Sequence, residues 1–586
     1  MKPPWRLPPP LKARVCWRPR ALWLCLLGLG FALLTWQSSL VRRPAPLVHG
    51  RVVGQDFVSA HAALRSRRMA DGRPLPGRPA NETGSVAVVI VGGGIAGLVA
   101  AWELQKRGIR FRLLEMEGEV GGNARSGHDG PGGVAYPWGA HYVPVPPRRS
   151  VAVRRLFEEL GIMRGGGRRG SSANGEALEA DLEALASVCA EPAERMHMPN
   201  TGWRDRQDGL VPWELMGAED QRQFQRFRAL VDAETNRKTA DGRRPFTVPL
   251  DECSRDGKAR ELDAESMGFW LARHGFSSAP LYWFVEYATR DDYGASLNDT
   301  SAWAALHYFG SRETYTRLEW PEGNGYFVRR LVDRVRASVV TDALVYRIGR
   351  VDEHSSADGG GPSAALHVHF LLDHSSRSGG ARAASVVAQR VIFAAPIFSA
   401  ARIISGWNDT WPSQFTYAPW LVANLHLRQR PDGHERCDNV IFRSPALGYT
   451  ISRQQSWLAG LGSMLGLGRG VVITYYRALH EASPANGRRL LASRSWKSWK
   501  DEILADLRQA HPAIDTLLLR LDVRLLGHAM VRPTPGLIWG GARAAACAAR
   551  PLGRVHFAHS DLSALPLFEE AVYWGARVAA EVSLLI

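Results

Sequence analysis

The sequence contains few cysteines, and their spacing argues against the two common uses of clustered thiols. Six cysteines are spread over 586 residues, and none of them forms a Cys-x-x-Cys pair. Disulfide frameworks and zinc sites need thiols at short, regular spacings. We therefore expect neither a disulfide-stabilised module nor a metal centre.

The chain also lacks a basic tract of the kind that binds nucleic acid. Lys and Arg number 73 against 57 Asp and Glu, which gives a net charge of +16. Such a charge favours nucleic acid or an anionic membrane as a partner. However, the arginines are scattered and are not interleaved with aromatic residues in one segment. We predict no nucleic-acid partner.

Long apolar runs are absent except at the amino terminus. Apolar residues make up 45% and charged residues 22% of the chain, a globular composition that excludes a polytopic membrane protein. Residues 1–20 are basic and rich in proline, and residues 21–36 are uncharged; extension to residue 41 gives about the length of a spanning helix. This order predicts a signal anchor. Residues 42–85, rich in Pro, Gly and Arg, are predicted to form a linker.

The charge around the apolar run predicts its orientation. More positive charge precedes the run than directly follows it, so we expect a membrane anchor with the rest of the chain on the extracytoplasmic side. Two alternatives remain open at this point. The body stays in the cytoplasm, or the protein is exported and soluble.

The strongest local pattern is a glycine-rich turn between a strand and a helix. Residues 86–91 (VAVVIV) form an apolar run typical of a strand buried on both faces. The sequence GGGIAG at 92–97 fits Gly-x-Gly-x-x-Gly, a turn that presents a helix amino terminus to a diphosphate. The residues predicted to contact a coenzyme in this turn are Gly92, Gly94, Ile95, Ala96 and Gly97.

The following residues complete a dinucleotide-binding unit. A helical pattern ends at Gly108, and residues 109–114 (IRFRLL) form a second strand. Glu115 closes that strand, where an acid accepts hydrogen bonds from ribose hydroxyls. An acid at this position disfavours NADP, whereas the turn alone leaves both NAD and FAD open.

Two segments after Glu115 resemble the flavin amine oxidase and phytoene desaturase-like superfamily. They are MEGEVGGNARSG, which begins at residue 116, and YPWGAHYVP, which begins at residue 136. The resemblance implies FAD as the cofactor, with Gly121 and Gly122 close to its diphosphate. It also implies that Gly139, Ala140 and His141 lie beside the isoalloxazine.

The carboxy-terminal half carries the same resemblance. RVHFAHSD at 554–561 and the helix-like segment after it look like the end of the superfamily's flavin domain, and Asp561 matches an acid near the ribityl and diphosphate groups. In LVYRIGRVD at 344–352, Val345 matches a residue whose backbone holds the adenine. More narrowly, 290–312, 318–331, 438–444 and 527–536 look like bacterial exported FAD/NAD(P)-binding oxidoreductases that have no settled substrate.

The sequence departs from the amine oxidase pattern at several positions. Glu117 and Asn123 stand where the family has arginines, so Arg125 is the candidate for neutralising the phosphates, and both Asn123 and Arg125 are predicted to contact the cofactor. Residues 419–427 contain no lysine, and Leu567 stands where an aromatic-cage tyrosine is expected. No cysteine lies where a covalent flavin bond would form. We therefore predict non-covalent FAD and leave amine oxidation without support.

Three residues are the candidates for catalysis. His141 is predicted beside the flavin, where it can hydrogen-bond the ring or exchange a proton with substrate. Asp292 and Tyr293 belong to a polar cluster after an apolar helical segment, where adjacent carboxylates can act as acid and base. The alternatives are a packed structural histidine and a cluster that only ends a helix.

Together these patterns predict an α/β protein with a Rossmann-like FAD-binding domain, built from discontinuous segments around a parallel sheet. This domain comprises residues 86–148, 330–400 and 526–586. An inserted α+β substrate domain comprises residues 149–329 and 401–525, and the active site is expected in the crevice between the two.

The predicted function is that of a FAD-dependent oxidoreductase. It would remove hydride equivalents from a small organic substrate and pass them to an unidentified electron acceptor. Two alternatives stay open, an NAD-dependent dehydrogenase and a binding protein on the same fold without catalysis. The sequence predicts a membrane partner only through its amino-terminal anchor.

Overall fold

A computed structural model describes most of the chain carboxy-terminal to the predicted anchor. The described residues are 49–53, 82–163, 194–206, 209–312, 316–350, 365–372, 382–432, 436–451 and 470–586. The predicted anchor at 1–41 and most of the predicted linker lie outside them. Within these ranges, no helix combines the length and the apolar character needed to cross a membrane.

The strands form two large sheets and two short pairs. The strands are β1 (Val52–Val53), β2 (Glu82–Val91), β3 (Phe111–Leu114), β4 (Ser126–Gly127), β5 (Tyr136–Pro137), β6 (Tyr142–Pro144), β7 (Glu194–Met198), β8 (Gly202–Arg206), β9 (Arg317–Glu319), β10 (Val339–Val340), β11 (Ala343–Arg350), β12 (Leu366–Leu372), β13 (Arg382–Phe393), β14 (Tyr417–Leu427), β15 (Asp438–Ile441), β16 (Gly448–Thr450), β17 (Val471–Ala478), β18 (Leu518–Val531) and β19 (Val555–Phe557).

The helices pack against these sheets. They are α1 (Ile95–Lys106), α2 (Val151–Glu159), α3 (Ala218–Thr235), α4 (Gly257–Ala264), α5 (Met267–Arg273), α6 (Ala279–Tyr293), α7 (Ala302–Gly310), α8 (Gly325–Val335), α9 (Ile397–Ile403), α10 (Pro484–Ser493), α11 (Trp496–Leu507), α12 (Ile514–Leu517), α13 (Gly541–Ala548) and α14 (Phe568–Ser583).

The first sheet carries the glycine-rich turn. Its order is β10-β3-β2-β13-β12-β11, with β19 paired to β13. The pairs β10–β3, β3–β2, β2–β13 and β13–β19 are parallel, and β13–β12–β11 is antiparallel. Residues 88–91 of β2 are at most 5% exposed, because apolar side chains on both faces of a central parallel strand meet packed layers. This arrangement confirms the predicted Rossmann-like α/β fold.

Two helices cover the turn end of this sheet. Helices α1 and α14 pack so closely that a Cβ on Gly575 would lie 2.4 Å from the carbonyl oxygen of Ala96. A glycine at this crossing therefore allows the backbones to approach. The carboxy-terminal helix thus fixes the helix whose amino terminus forms the turn.

The second sheet has the order β1-β18-β14-β17-β16-β15-β7-β8. It is antiparallel except for the β1–β18 and β15–β7 pairs. Every residue of β14 is buried, since this strand lies in the middle of the sheet. The alternation of apolar and polar residues around 420–427 and 471–476 predicts sheet, and β14 and β17 occupy those positions.

Part of the predicted linker is ordered structure. His49–Val53 lie along β18, with Leu521 N–H donating to His49 O and Val523 N–H donating to Arg51 O. Arg51 also ion-pairs with Asp522 at 3.3 Å. Within the predicted linker at 42–85, this stretch therefore forms the edge of the second sheet. Its Arg and Val residues pair at a sheet edge, which composition alone does not reveal.

The first helix ends close to the predicted position. Its last residue is Lys106, and Gly108 takes a positive φ of 68° after it. Asp263 lies in the last turn of α4 and does not cap that helix. The caps are Asp256 for α4 and Ser266 for α5, each accepting a backbone N–H. Buried Asp263 accepts Trp539 N–H instead.

Candidate active site

The glycine-rich turn has the geometry that its sequence predicts. Gly92 takes a φ of 103°, a conformation that favours glycine. A Cβ on Gly97 would lie 1.9 Å from Gly92 O, so only glycine allows the helix to pack on the turn. A Cβ on Gly94 would meet open space. The backbone at Gly94, which precedes α1, is therefore open to a ligand.

Glu115 lies directly beside this turn. Its Oε2 accepts Gly93 N–H at 2.6 Å, and its Oε1 accepts Glu117 N–H at 2.9 Å. Burial raises the pKa of Glu115 to about 7, against the opposing effect of the hydrogen bond from Gly93 N–H and of the charge of Arg125. The acid therefore holds the turn as well as occupying the position expected for a ribose contact.

A second glycine turn packs on the first. Gly121 (φ 125°) donates its N–H to Gly93 O at 2.8 Å, and a Cβ on Gly122 (φ 55°) would lie 3.4 Å from Gly94 Cα. Both turns thus face the amino terminus of α1. The structure brings together the glycines that the sequence assigned separately to a diphosphate site.

Arg125 forms ion pairs beside these two glycine turns. It ion-pairs with Glu117 and lies 3.5 Å from Glu119. Buried Arg524 of β18 lies 3.9 Å from Glu117 and donates to Gly122 O at 3.3 Å. A second arginine, which sequence reasoning missed, therefore reaches the turn. No local sequence pattern indicates it, because it is about 400 residues away along the chain.

The segment predicted beside the isoalloxazine is tightly held. A Cβ on Gly139 would lie 2.2 Å from Asn123 O, and Ala140 N–H donates to the same oxygen at 2.9 Å. Tyr476 donates its hydroxyl to Gly139 O at 2.8 Å. Asn123 itself donates to Ala529 O at 2.6 Å. These contacts bring Asn123 next to the 139–141 segment.

The two remaining predicted cofactor residues lie on the same sheet and its edge. Val345 is buried in β11, and that strand begins beside the turn, where Ala343 N–H donates to Glu115 O at 2.8 Å. Asp561 follows β19 and is fully buried. Its Oδ2 accepts Tyr417 Oη at 2.6 Å and Ile397 N–H at 2.9 Å.

The charge of Asp561 is held by its neighbours. Burial works to raise its pKa, but His559, the Tyr417 hydroxyl and the Ile397 N–H lower the pKa of Asp561 below its usual value. A stable carboxylate at this position accepts hydrogen bonds. It therefore fits the hydroxyls of a ribityl chain.

These residues fit a dinucleotide such as FAD. Open space above Gly94, the amino terminus of α1 and the adjoining Gly122 turn make a cradle for an anionic diphosphate. Glu115 and Asp561 offer carboxylates at either end of the first sheet's ligand edge. The backbone of Val345 lies on the adenine side assigned by the resemblance.

A cavity of about 690 Å³ adjoins the second glycine turn. It is lined by Asn123 and the 139–141 segment on one side and by helices α3, α6 and α7 on the other. Its apolar walls include Phe224, Phe227, Phe284, Phe309, Trp420 and Leu526. A cavity of this size, apolar with a few converging polar groups, is typical of a small-molecule site.

His141 belongs to an ion-pair cluster in this cavity. Its Nε2 lies 3.2 Å from Asp438 Oδ1. Arg317 also pairs with Asp438, and it pairs with Glu194 at 2.7 Å. Burial works to raise the pKa of Asp438, but Arg317 and His141 hold it below its usual value. His141 therefore has a charged partner. This contact argues against the alternative in which His141 is only a packed structural residue.

Two adjacent aspartates in the last turn of α6 differ in their contacts. Asp292 lies 3.8 Å from Arg312, whereas Asp291 has no hydrogen-bond or ion-pair partner among the residues described here. Both side chains line the cavity. Burial raises the pKa of Asp291 to about 7, and the charges of Asp292 and Asp438 add to the rise.

Asp292 responds to the same environment. Burial raises the pKa of Asp292, and Arg312 acts against the rise. Asp292 thus lines the cavity, and among the described residues it is the adjacent Asp291 that has no hydrogen-bond or ion-pair partner. The sequence signal for Asp291 is the Asp-Asp pair itself, which could not say which of the two faces a partner.

Tyr293 lies away from the cavity wall. It is fully buried, and its hydroxyl donates to Ala304 O of α7 at 2.9 Å. The structure therefore places this candidate in the packing between α6 and α7. Gly294, with φ 59°, ends the helix directly after it. The cluster at 290–293 combines a helix end with a cavity wall, since consecutive helical side chains point in different directions.

Comparison with known proteins agrees with this geometry. Residues 90–160 match the NAD(P)-binding Rossmann-like domain family. Over 45 residues the chain is 56% identical to the methylenetetrahydrofolate–tRNA-(uracil-5-)-methyltransferase TrmFO of Novosphingobium aromaticivorans; the match covers 8% of this chain and 9% of that protein's length.

The similar solved structures cover far more of the chain. Cyclohexylamine oxidase from Brevibacterium oxydans is 15% identical, with a TM-score of 0.58 over 86% of this chain and 99% of that one. Putrescine oxidase bound to putrescine is 16% identical, with a TM-score of 0.58 over 85% and 99%. The chain has the flavin amine oxidase fold. The predicted resemblance is confirmed at this level.

The flavin amine oxidase fold does not fix the reaction. A CLA-producing fatty acid isomerase from P. acnes matches with a TM-score of 0.54 and 12% identity, over 85% of this chain and 98% of that one. Proteins of one fold carry different chemistry, so activity has to be argued from the side chains of the site.

Proposed function

We propose that the protein is a FAD-dependent oxidoreductase that removes hydride equivalents from a small organic substrate. One observation carries the proposal. The same short segment, residues 121–141, packs on the glycine-rich turn at one end and lines the 690 Å³ cavity at the other. A coenzyme held by the turn would therefore extend towards that cavity.

FAD bound here would supply the site for hydride transfer. The chain's own residues would bind and orient it. Gly94 and Gly122 admit the diphosphate, Glu115 and Asp561 accept hydrogen bonds from hydroxyls, and the backbone of Val345 takes the adenine. Gly139, Ala140 and His141 would lie beside the isoalloxazine ring of FAD.

Asp291 and His141 are the groups available to move a proton. A substrate that loses a hydride from carbon also loses a proton from the adjoining nitrogen or oxygen. The carboxylate of Asp291, which has no ion-pair partner among the described residues, can receive this proton at Oδ, since its raised pKa makes it a usable base near neutral pH. His141, fastened to Asp438, is held in one orientation.

We leave the substrate unassigned. The two amine oxidases named above act on cyclohexylamine and putrescine, which makes these compounds sensible first tests. Residues 419–427 contain no lysine, however, and Leu567 lines the cavity where a cage tyrosine is expected. The acidic and aromatic lining admits other small molecules equally well.

The visible spectrum of the purified protein tests the proposal. We expect flavin absorbance, or its appearance after reconstitution with FAD and desalting, and release of the flavin on denaturation because it is not covalently bound. Anaerobic addition of a substrate should bleach these bands. A colourless protein that binds NAD in calorimetry would instead support the dehydrogenase. A protein that binds neither would support the non-catalytic alternative.

We also propose that residues 1–41 anchor the protein in a membrane, with the rest of the chain extracytoplasmic. The basic segment followed by the uncharged run supports this placement. Fractionation of cells that express a tagged full-length chain tests it. Recovery of the protein in the membrane fraction, with the tag accessible to external protease, is expected. Recovery in the cytosol would contradict it.

A further inference from the structure

Arg524 joins the two sheets at the coenzyme turn. It belongs to β18 of the second sheet and is 2% exposed. Its Nη1 donates to Trp138 O at 3.1 Å, and both Nη1 and Nη2 donate to Gly122 O at 3.3 Å. One guanidinium therefore holds two backbone carbonyls that belong to different parts of the predicted flavin-binding segment.

These two hydrogen-bonded carbonyls determine where the following N–H groups point. In a planar trans peptide, C=O and N–H point in opposite directions. The contact at Gly122 O therefore directs Asn123 N–H away from Arg524, and the contact at Trp138 O does the same for Gly139 N–H. Asn123 and Gly139 line the cavity next to the turn. Arg524 thus orients backbone on the side where a coenzyme would lie.

Arg524 also acts on the charge beside the turn. Glu117 would repel an anionic diphosphate if it stood alone. It is paired with Arg125, and Arg524 lies 3.9 Å from it on the buried side. Both guanidinium groups therefore lie close to the Glu117 carboxylate beside the turn.

The backbone of Arg524 is itself held from both sides. Val422 of β14 pairs with it in the antiparallel ladder, and Val53 of β1 pairs with it in the parallel ladder. Strand β1 is therefore part of the support for this side chain. A guanidinium with a fixed stem is well suited to hold two acceptors at once.

We propose that Arg524 is a positioning residue for the coenzyme. It holds the Gly122 and Trp138 carbonyls, so that the second glycine turn and the start of the 139–141 segment are arranged before FAD binds. The inference rests on the proposed function, and it adds a contribution from the second sheet to the affinity of the first sheet for FAD.

The test compares FAD affinity in Arg524→Lys and Arg524→Met with the unchanged protein. Flavin fluorescence quenching and calorimetry on the apoprotein give the dissociation constant. We expect Arg524→Met to weaken binding about tenfold or more, because hydrogen bonds from a charged donor are lost. Arg524→Lys keeps the charge but replaces the two fixed nitrogens of the planar guanidinium with a single nitrogen, so it should bind FAD with intermediate affinity.

The matched control is Arg520→Met, on the same strand. Arg520 pairs with Asp522 at 3.1 Å and with Asp129, away from the glycine turns. We expect its FAD dissociation constant to stay within about twofold of the unchanged protein, since it makes no contact with Gly122 or Trp138. Apoprotein melting temperatures are measured for all variants, so that affinity is separated from folding.

The possible outcomes separate a failure of the proposed function from a failure of the positioning role of Arg524. If the unchanged protein binds no FAD, the proposed function itself fails. If it binds FAD and both Arg524 variants bind equally well, only the positioning role is overturned. It is also overturned if their affinity losses match that of Arg520→Met. Should Arg524→Met not fold, Arg524→Lys decides by the same comparison.

Discussion

At the scale of single residues, the space around the glycine backbones shapes the coenzyme turn, and the pairing of charged side chains distinguishes the residues of the cavity. Gly97 and Gly94 belong to the same motif but do different things. The first is required by close packing within the protein, and the second leaves room for a ligand. Asp291 and Asp292 are neighbours in sequence, yet within the part of the chain that the structure describes only Asp292 forms an ion pair with a cation, Arg312.

Gly97→Ala should damage the turn before any coenzyme is present. The added Cβ would lie 1.9 Å from Gly92 O, a backbone atom that cannot rotate away. We expect a loss of about 1–3 kcal/mol in the free energy of unfolding. Thermal melting of the apoprotein measures it. Gly118→Ala is the control, since its Cβ would meet nothing within 4 Å; equal melting of both variants would contradict the prediction.

Gly94→Ala should separate ligand affinity from stability. Its Cβ would project into the open space where the diphosphate is expected, so the apoprotein should melt like the unchanged protein. We expect FAD affinity to fall about tenfold or more, because the backbone could no longer approach the diphosphate. Calorimetric titration with FAD checks this. Retained affinity would place the diphosphate elsewhere.

Asp291→Asn should change the pH dependence of stability. Folding raises the pKa of Asp291 from an ordinary 3.8 to about 7, so the folded protein keeps a proton that the unfolded chain releases near pH 4. The resulting stabilisation is complete below pH 4 and is lost as the pH rises through 7. Asparagine cannot ionise, so the variant should melt at higher temperature than the unchanged protein at pH 8.

This difference should shrink towards pH 5. Other titratable groups on several elements lie close to Asp291, and these residues are identical in the variant and the unchanged protein. They are Asp292, His141, Arg317 and Asp438, with the tyrosines Tyr142, Tyr287, Tyr308 and Tyr476. Scanning fluorimetry of the apoprotein from pH 5 to pH 8 measures the effect. Glu286→Gln, on the same helix outside the cavity wall, should not reproduce it.

At the scale of elements, the short strand β1 has an effect beyond its length. It adds an edge to the second sheet and packs Val53 against a cluster that includes Tyr136 and Trp138. It also borders Arg524, which contacts the coenzyme turn. An edge strand of two residues therefore connects the start of the described chain with the predicted cofactor site.

Val53→Pro should loosen this connection. Proline lacks the N–H that a ladder uses and has a fixed φ, so we expect a loss of about 1–3 kcal/mol in stability. FAD affinity should fall with it, because Arg524 loses support on one side. Val53→Ile keeps the donor and the branched side chain and serves as the control. Identical melting and FAD binding by the two variants would contradict the coupling.

At the scale of the whole molecule, two sheets contribute to one site. The first sheet supplies the glycine-rich turn, Glu115 and Val345. The second supplies Arg524, Tyr476 and part of the cavity wall. A ligand that spans from the turn to the cavity should therefore stabilise both sheets.

FAD should raise the melting temperature of the protein in proportion to the logarithm of its concentration. At 100 times the dissociation constant the gain is about 2.7 kcal/mol. FMN lacks the adenosine half that the turn, Glu115 and Val345 would bind, so it should give a much smaller shift. Thermal scans with each flavin test this. Equal shifts would mean that the glycine-rich turn makes no contribution to binding.

The sequence by itself determined the elements whose signals are local. Val88–Val91, the three spaced glycines and Glu115 lie within thirty residues. Together they form the pattern of a buried strand, a tight turn, a helix start and an acid that is typical of a dinucleotide-binding unit, and this pattern does not depend on distant parts of the chain. That is why the strand, turn and helix of the first sheet were predictable. The paired strands at 420–427 and 471–476 were predictable from alternation for the same reason.

Only the tertiary structure decided which distant side chains meet. His141 is paired with Asp438 almost 300 residues away, and Arg524 reaches Gly122 across about 400. It also separated Asp291, which lines the cavity, from Tyr293, whose hydroxyl donates to a backbone carbonyl of the neighbouring helix. Local patterns specify backbone conformation, whereas charge pairing and burial depend on how the two sheets pack, and no spacing in the sequence records that.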